Sequence, residues 1–348
     1  MKRQCVLYRP GKNPGSVQCT CCSHYCTIGE GKSGICGVRY NDHGELYLAV
    51  WGKPSALHID PMEKKPLYHY YPGEAILSIG TIGCNFSCKF CQNWSISMDR
   101  PGVKDIEDYC LERSEGRILT PDEIVRICKA RHIRHIAATY NEPSIWFEYS
   151  YDIAQLASKE GISYVYVSNG FESQEQLDAL VGVISAINID LKTFRQETYR
   201  KIMGGSLEPV KNSIKFLYNT KKIIVEVTTL IVPDMNDSDE ELQDIANFIA
   251  SVGKDIPWHV SAFHPDYKML DKKRTPTETL ERALEFGKHA GLLYLYAGNV
   301  RDTSYMNTNC PQCGELLISR VTGFDGKVCN LRDGHCGKCG APIYGKFV

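Results

Sequence analysis

From about residue 75 onward, short apolar runs alternate with longer amphipathic segments, and this alternation restricts the fold more than any other feature of the chain. The strand-like runs are rich in β-branched residues and cover 75–79, 133–139, 162–168, 186–191, 223–230, 258–263 and 292–297. Segments of helical periodicity lie between several of them, at 121–130, 144–159, 239–252 and 277–289. Repeated strand–helix units predict a parallel α/β sheet with right-handed crossovers. Six or seven units predict a complete or partial barrel, whose functional residues follow the carboxyl ends of the strands.

Two cysteine-rich ends flank this alternating region. Residues 1–60 predict a small metal-binding module with a hairpin at 39–50, where a turn precedes strand-like residues. Residues 61–300 hold the predicted barrel. Residues 301–348 are glycine-rich with paired cysteines, and they predict a separate zinc-ribbon-like module.

The composition excludes some classes of function. The 348 residues include 40 Lys and Arg against 41 Asp and Glu, a formal net charge of −1. A balanced charge argues against a binder of bulk nucleic acid, because a phosphate backbone attracts a basic surface. No apolar run reaches the roughly 18 residues that cross a bilayer, and Met1-Lys-Arg-Gln-Cys5 lacks the apolar stretch of a secretion signal. We therefore expect a cytoplasmic protein.

The sixteen cysteines are the unusual part of the composition. In a long chain without a secretion signal, clustered cysteines indicate metal sites rather than disulfides. The clusters are Cys19, Cys21, Cys22, Cys26 and Cys36 near the start, Cys84, Cys88 and Cys91 in the centre, and Cys310, Cys313, Cys336 and Cys339 at the end. Cys110 and Cys128 stand apart, and we expect them to be buried as small apolar residues.

The central cluster follows the first predicted strand of the barrel and has the spacing C-x3-C-x2-C. Cys84, Cys88 and Cys91 offer three thiolates on one loop, whereas a structural zinc site takes four ligands and no fourth cysteine is near. A 4Fe–4S cluster held by three thiolates leaves one iron open to a small molecule. The spacing favours such a cluster, and a structural zinc site is the alternative.

This motif, with the aromatic Phe90 before its third cysteine, resembles the radical S-adenosylmethionine (SAM) superfamily. The resemblance implies a (β/α)6-type partial barrel, a 4Fe–4S cluster on Cys84, Cys88 and Cys91, and SAM bound at the open iron. It also implies reductive cleavage of SAM to a 5′-deoxyadenosyl radical, which abstracts hydrogen from a substrate. A low-potential electron donor, flavodoxin or ferredoxin, is the implied reductant.

Residues after the following strands match the family's SAM-binding segments. Thr139-Tyr-Asn-Glu-Pro143 stands in place of the family's Gly-Gly-Glu-Pro, with Tyr140 and Asn141 replacing the glycines. Val167-Ser-Asn-Gly170 resembles Thr-Asn-Gly, and Asp190-Leu-Lys192 resembles a segment of glycyl-radical-enzyme activases in which the lysine meets the SAM carboxylate. The resemblance implies that SAM is bound by Glu142, Ser168, Asn169, Asp190 and Lys192.

A second resemblance covers nearly the whole chain. The segment His58-Ile-Asp-Pro-Met-Glu-Lys-Lys-Pro-Leu-Tyr-His-Tyr-Tyr-Pro-Gly73, with the central motif and both cysteine-rich ends, is similar to the radical SAM enzyme of the AmmeMemoRadiSam system. That family is related to pyruvate formate-lyase activating enzymes. It implies Memo-like and Amme-like partners and leaves the substrate open. From physics alone, the charged run 63–66 is equally an exposed linker.

The outer cysteines predict two further metal sites. Cys310, Cys313, Cys336 and Cys339 form two C-x2-C-Gly knuckles, the pattern of a tetrahedral zinc site that is structural or that docks a protein substrate. Cys19, Cys22, Cys26 and Cys36 form the N-terminal set, with Cys21 and His24 as competing ligands. Zinc is the first interpretation of this set, and an auxiliary iron–sulfur cluster is the alternative.

Three functions remain open at this point. The first is a radical SAM enzyme that abstracts hydrogen from an unidentified substrate. The second is an activase that forms a glycyl radical on a partner protein. The third is a non-catalytic zinc-binding scaffold, which the balanced charge disfavours. Trp94, Tyr140, Trp146 and His264 lie near the predicted strand ends, where they either line a pocket or pack.

Overall fold

The computed structural model describes residues 2–347. Its N-terminal module contains two antiparallel three-stranded sheets, with strand orders β2-β3-β4 and β1-β6-β5. The strands are β1 (Arg3–Gln4), β2 (Tyr8–Pro10), β3 (Val17–Cys19), β4 (Thr27–Ile28), β5 (Arg39–Asp42) and β6 (Glu45–Leu48). The predicted hairpin is confirmed, because β5 and β6 pair around a turn at His43 and Gly44. Both turn residues have positive φ, which matches the twist of a two-residue hairpin.

The centre of the molecule is an eight-stranded sheet with the order β14-β13-β12-β11-β10-β9-β8-β7. Its strands are β7 (Ala56–Pro61), β8 (Ala75–Gly80), β9 (His135–Ala138), β10 (Ser163–Ser168), β11 (Ala186–Asp190), β12 (Ile224–Ile231), β13 (Trp258–Ala262) and β14 (Leu295–Gly298). The seven strands from β8 to β14 are parallel, and β7 is an antiparallel edge strand. All seven predicted strands are confirmed, and consecutive strands are neighbours throughout.

Helices connect the parallel strands. They are α1 (Trp94–Ser97), α2 (Ile106–Arg113), α3 (Pro121–Ala130), α4 (Phe147–Lys159), α5 (Gln174–Leu180), α6 (Gln196–Thr198), α7 (Leu207–Asn219), α8 (Asp239–Val252) and α9 (Thr277–Ala290), with a π-helical turn at Tyr199–Met203 and 3-10 turns at Met62–Lys64, Pro143–Trp146 and Thr303–Met306. The four predicted helices correspond to α3, α4, α8 and α9. Thr120 caps α3 in a reciprocal capping box with Glu123.

The segment from Met62 to Tyr71 packs against one face of the sheet. Met62, Leu67 and Tyr70 are fully buried and form one apolar cluster with residues of five strands. Polar groups hold the segment as well, since the backbone N–H groups of Tyr68 and His69 donate to the carboxylate of Glu226 at 3.0 and 2.8 Å. The charged run 63–66 is therefore no exposed linker.

The C-terminal module consists of β15 (Thr308–Asn309), β16 (Leu316–Ser319), β17 (Lys327–Val328), β18 (Leu331–Arg332) and β19 (His335–Cys336). It attaches to the buried segment through Arg320, whose guanidinium is fully buried. Arg320 faces Glu63 at 3.4 Å and donates to the carbonyl oxygen of Tyr68 at 2.8 Å. Within residues 2–347, no helix is long and apolar enough to cross a membrane.

Candidate active site

A cavity of about 440 Å³ opens at the carboxyl ends of the parallel strands. Its walls come from the loop after β8 and from residues at the ends of β9, β10 and β11, with smaller contributions from later strands. The structure brings together eight residues singled out in the sequence: Cys84, Cys88, Cys91, Glu142, Ser168, Asn169, Asp190 and Lys192. They are distant in the chain, and the parallel sheet delivers them to one edge because all its strand ends point the same way.

The loop that carries the three cysteines is held on one side by backbone hydrogen bonds. The N–H of Ser87 donates to the carbonyl of Met203 at 2.7 Å, and the N–H of Lys89 donates to that of Ile202 at 3.2 Å. The loop begins at Gly83, which has a φ of 85° and lies so close to the Cys36 carbonyl that a Cβ would sit 2.6 Å from its oxygen. Only glycine fits this close approach without a shift of the backbone.

Asn141 holds the loop on the other side. Its side-chain amide donates to the carbonyls of Ile82 and Gly83 at 3.3 and 2.9 Å, and its oxygen accepts from the N–H of Thr81 at 3.1 Å. The preceding Tyr140 has a φ of 71°, a left-handed conformation that favours glycine. Tyr140 therefore adopts a backbone conformation typical of glycine at a position where the resembling family has glycine. Asn141 stands at the family's second glycine, and its side-chain amide clamps the cysteine loop by hydrogen bonds.

The three thiols on this loop are mostly buried, and their donor set fits a cluster of several metal ions better than one ion. Burial raises the pKa of each thiol, that of Cys88 to about 12. The N–H of Phe86 donates to Cys84 Sγ at 3.4 Å, a contact that favours a thiolate. Among the described residues 2–347, the sulfur atoms of these three cysteines do not all lie within 4.8 Å of one another. Thiolates around one tetrahedral zinc lie only about 3.8 Å apart.

In the same cavity, Glu142 accepts hydrogen bonds in a buried polar network. Its carboxylate accepts from Ser168 Oγ at 2.9 Å, from Ser144 Oγ at 2.7 Å and from the N–H of Asn169 at 2.7 Å. Burial raises the pKa of Glu142, and the nearby carboxylate of Glu172 raises it further. Two buried carboxylates this close are stabilised by a cation between them or by a shared proton.

A charged pair lines the next part of the wall. Lys192 Nζ lies 2.7 Å from Asp190 Oδ2, and the N–H of Lys192 donates to the hydroxyl of Tyr199 at 3.2 Å. Burial favours the neutral amine, but the carboxylate of Asp190 outweighs it and raises the pKa of Lys192. This part of the cavity therefore holds a fixed positive charge that can meet a carboxylate.

The C-terminal cysteines form a compact four-sulfur group. Cys310 Sγ lies 3.6 Å from Cys339 Sγ, and Cys313 Sγ lies 3.7 Å from Cys336 Sγ. These separations match the roughly 3.8 Å expected between thiolates on one tetrahedral metal ion. The glycines that follow Cys313 and Cys339 have φ values of 74° and 75°, as the predicted knuckle turns require. The four sulfur atoms are thus close enough together that they could ligate one metal ion. Cys329 is exposed and lies outside this group.

The N-terminal cysteines do not form such a group among the described residues. They surround a small cavity of about 10 Å³ behind the central loop, together with Cys21, His24 and Asn85; the four predicted ligands there are Cys19, Cys22, Cys26 and Cys36. Cys21 donates to the carbonyl of Ser144 at 2.8 Å, and His24 Nε2 lies 2.8 Å from the carbonyl oxygen of Asn85. Both competing ligands are thus engaged by backbone carbonyls of the segments that follow β9 and β8.

Of the four residues near the strand ends whose role the sequence left open, only Tyr140 lines the cavity. Trp94 is half exposed and stacks on Tyr267, with ring centroids 5.4 Å apart. Trp146 is fully buried and donates to Asn141 Oδ1 at 3.2 Å, which supports the clamp. His264 is exposed and lies outside the cavity lining.

Sequence reasoning missed three residues of the site. Lys64 and Lys65 line the cavity, because the segment that carries them packs against the sheet. Glu172 lies behind Glu142 and was not singled out, although it follows the Ser-Asn-Gly segment by only two positions. The two lysines lie in a segment that resembles the related family, and this resemblance could have indicated that they belong to the site. Their polarity alone did not distinguish the segment from an exposed linker.

Comparisons with known proteins agree with this geometry. The family model described as "Radical SAM superfamily" matches residues 78–249. A Methanocaldococcus jannaschii protein named "Uncharacterized protein MJ0808" is 41% identical over 344 residues, which is 98% of each chain. A "Putative glycyl-radical enzyme activating enzyme MJ1632" of the same organism is 26% identical over 60% of this chain and 75% of its own. "Pyruvate formate-lyase 1-activating enzyme" of Escherichia coli is 24% identical over 58% of this chain and 83% of its own.

Proposed function

The chain belongs to the radical SAM superfamily, and from this premise we propose that it cleaves SAM at a 4Fe–4S cluster held by Cys84, Cys88 and Cys91. The family consists of enzymes that act by radical chemistry on SAM, so the chain is an enzyme. The observation that carries the site assignment is that three thiols and five polar residues, predicted separately, line one cavity. The open sheet is proposed to curve into a partial barrel around that cavity.

When bound, the cluster supplies the electron that breaks the carbon–sulfur bond of SAM. The chain's own residues bind and orient the two ends of the SAM amino-acid part. Ionised Glu142 and the backbone around Ser168 and Asn169 take the ammonium group, while Asp190 fixes the position of Lys192, which takes the carboxylate. Enclosure by the strand ends limits the access of water to the adenosyl radical.

The substrate is an unidentified molecule from which this radical removes hydrogen. The activating-enzyme relatives favour a second candidate, a glycyl-radical-enzyme activase that acts on a partner protein. The segment 58–73 favours a place in the AmmeMemoRadiSam system, with Memo-like and Amme-like proteins as partners. In each case a low-potential donor, flavodoxin or ferredoxin, supplies the electron.

The outer cysteines are proposed to hold further metal. The spacing of the C-terminal sulfurs supports structural zinc at Cys310, Cys313, Cys336 and Cys339. For Cys19, Cys22, Cys26 and Cys36 the proposal is zinc or an auxiliary iron–sulfur cluster. A purely structural zinc scaffold is the candidate of another class, and the polar cavity at the central cysteines disfavours it.

Metal analysis tests the cluster assignment. The protein is purified without oxygen, loaded with iron and sulfide, reduced, and examined by electron paramagnetic resonance with and without SAM. We expect a cluster signal that changes when SAM is added. Cys88→Ala should lose this signal, whereas Cys128→Ala, which removes a buried thiol that does not line the cavity, should keep it. Zinc with no iron in the wild-type protein would overturn the proposal.

A further inference from the structure

Two adjacent lysines reach the cavity from the side of the buried segment. Lys64 ends the 3-10 turn Met62–Lys64 that follows β7 and Lys65 comes next, and both line the same cavity as the central cysteines. Their positions differ, because the Lys65 side chain is 2% exposed and the Lys64 side chain is 55% exposed. Neither residue belongs to the SAM-binding set, so their presence in the wall needs another explanation.

Both ammonium groups converge on a single carboxylate. Lys65 Nζ lies 2.7 Å from Asp60 Oδ2, and Lys64 Nζ lies 3.1 Å from Asp60 Oδ1. The hydroxyl of Tyr140 donates to Asp60 Oδ2 at 2.7 Å. Burial opposes the ionisation of Asp60, but the hydrogen bonds from Lys65 and Tyr140 prevail and hold its pKa well below the usual range. One negative charge therefore faces two positive charges.

The other carboxylates of the cavity wall do not pair with these two lysines. The wall contains two further carboxylates, those of Glu142 and Asp190. Asp190 is paired with Lys192, and Glu142 accepts from serine hydroxyls and a backbone N–H. Two ammonium groups that share one carboxylate can accept a second anion, and an anion that enters beside them is bound by charge-assisted hydrogen bonds.

We propose that Lys64 and Lys65 form an anion subsite that binds a carboxylate or phosphate group of the substrate beside SAM. The inference rests on the proposed function, because it assigns a substrate class to the same cavity. SAM brings one carboxylate, for which Lys192 stands in the wall near the cysteines. The paired lysines are thus free for the second reactant, and a substrate with an anionic group is held with its hydrogen toward the radical.

The subsite can be tested without knowledge of the substrate. Oxidised, cluster-loaded protein is saturated with SAM, which stays intact because no electron is supplied. Inorganic phosphate and acetate are then titrated in by calorimetry and, for phosphate, by phosphorus NMR line broadening. We expect saturable binding of at least one probe to the wild-type protein. The probe that binds more tightly indicates whether the substrate carries a phosphate or a carboxylate group.

Variants assign the binding to the lysines. Lys64→Ala changes a half-exposed side chain and should lower the affinity for the probe about fivefold, which is the effect expected for one partly exposed charge contact. Lys65→Met should weaken it as well. Asp60→Asn should have the opposite effect and tighten it, since the carboxylate no longer neutralises the lysines. Lys129→Ala, an exposed lysine paired with Glu160 on the outer surface, serves as the matched control.

Several outcomes would overturn the subsite. These are no saturable probe binding to the wild-type protein, unchanged binding in Lys64→Ala, or equal weakening in Lys129→Ala. Probe binding that occurs without SAM and disappears with SAM would assign the lysines to the SAM carboxylate instead. Wild-type SAM cleavage is measured on the same preparation. If cleavage fails while the lysine-dependent probe binding remains, the proposed function is wrong and the anion subsite stands.

Discussion

Glu142 and Glu172 lie against the same hydroxyl group: Ser168 Oγ is 2.9 Å from Glu142 Oε1 and 2.5 Å from Glu172 Oε1. Both carboxylates are almost completely buried, and burial raises the pKa of each. In the proposed function, Glu142 binds the positively charged ammonium group of SAM. Glu172 is then a positioning residue that controls the charge of Glu142.

This relationship predicts a pH dependence of SAM binding. An ammonium group binds the ionised form of Glu142, so a raised pKa means that SAM affinity falls as the pH is lowered through the neutral range. Glu172→Gln removes the like charge, lowers the pKa of Glu142 and shifts the loss of affinity to lower pH. Calorimetric titration of SAM over a pH series on oxidised protein measures this shift. A superimposable profile for the variant would contradict the role of Glu172.

The C-terminal cysteines predict a metal-dependent module. Cys313→Ala should remove one zinc per chain and lower the thermal stability of the module, because a unit this small depends on its metal. Cys329→Ala is the matched control, since that exposed thiol lies outside the four-sulfur group. Zinc content by mass spectrometry and a melting curve report both effects. Equal zinc content in the two variants would argue against the assignment.

Buried His69 predicts a loss of stability in acid. Burial lowers the pKa of His69 to about 4, while the unfolded chain has the ordinary value of 6.5. As the pH falls, the unfolded state therefore binds the proton before the folded state does. Neutral His69 does not reduce the free energy of unfolding above pH 6.5, and this free energy decreases as the pH falls from 6.5 toward 4. The full effect is about 3 kcal/mol. His69→Gln should show a flatter decline of the unfolding free energy between these values, and a parallel decline would refute the assignment.

The junction of the buried segment and the C-terminal module predicts a large mutational effect. Arg320 and Glu63 are both fully buried, and Arg320 also donates to backbone carbonyls. Arg320→Met leaves the Glu63 carboxylate without its cation and should cost about 3–5 kcal/mol. The double variant with Glu63→Gln should recover part of this loss. Denaturant unfolding measures both, and additive losses in the double variant would show that the two residues are independent.

The strand alternation predicted the parallel sheet and the place of its functional edge, because hydrophobic periodicity is local information. The thiol loop and strand-end residues such as Glu142 could be placed in the site because they come directly after strands that end at that edge. Lys65 could not be placed in this way, since a lysine is expected to be exposed unless the fold buries it beside a carboxylate. Asp60, five residues earlier, is that carboxylate, and only the folded structure shows that the pair is buried. Glu172 was missed for the same reason, because its role depends on packing against Glu142 across two loops.

The N-terminal cysteines illustrate a different limit. Spacing suggested Cys19, Cys22, Cys26 and Cys36 as ligands, and the structure places them around one small cavity without drawing their sulfur atoms together. Sequence spacing fixes how far apart thiols can be, and the surrounding packing decides how close they come. The C-terminal knuckles differ because each glycine turn sets the local geometry of its own cysteine pair.

The most direct test of the central claim is the formation of 5′-deoxyadenosine from SAM. Anaerobic protein loaded with iron and sulfide is mixed with dithionite and SAM, and the product is quantified by chromatography. We expect product from the wild-type protein and from Cys128→Ala, and none from alanine variants of Cys84, Cys88 or Cys91. Full product formation by Cys88→Ala, or none from wild-type protein with a complete cluster and bound SAM, would contradict the central claim.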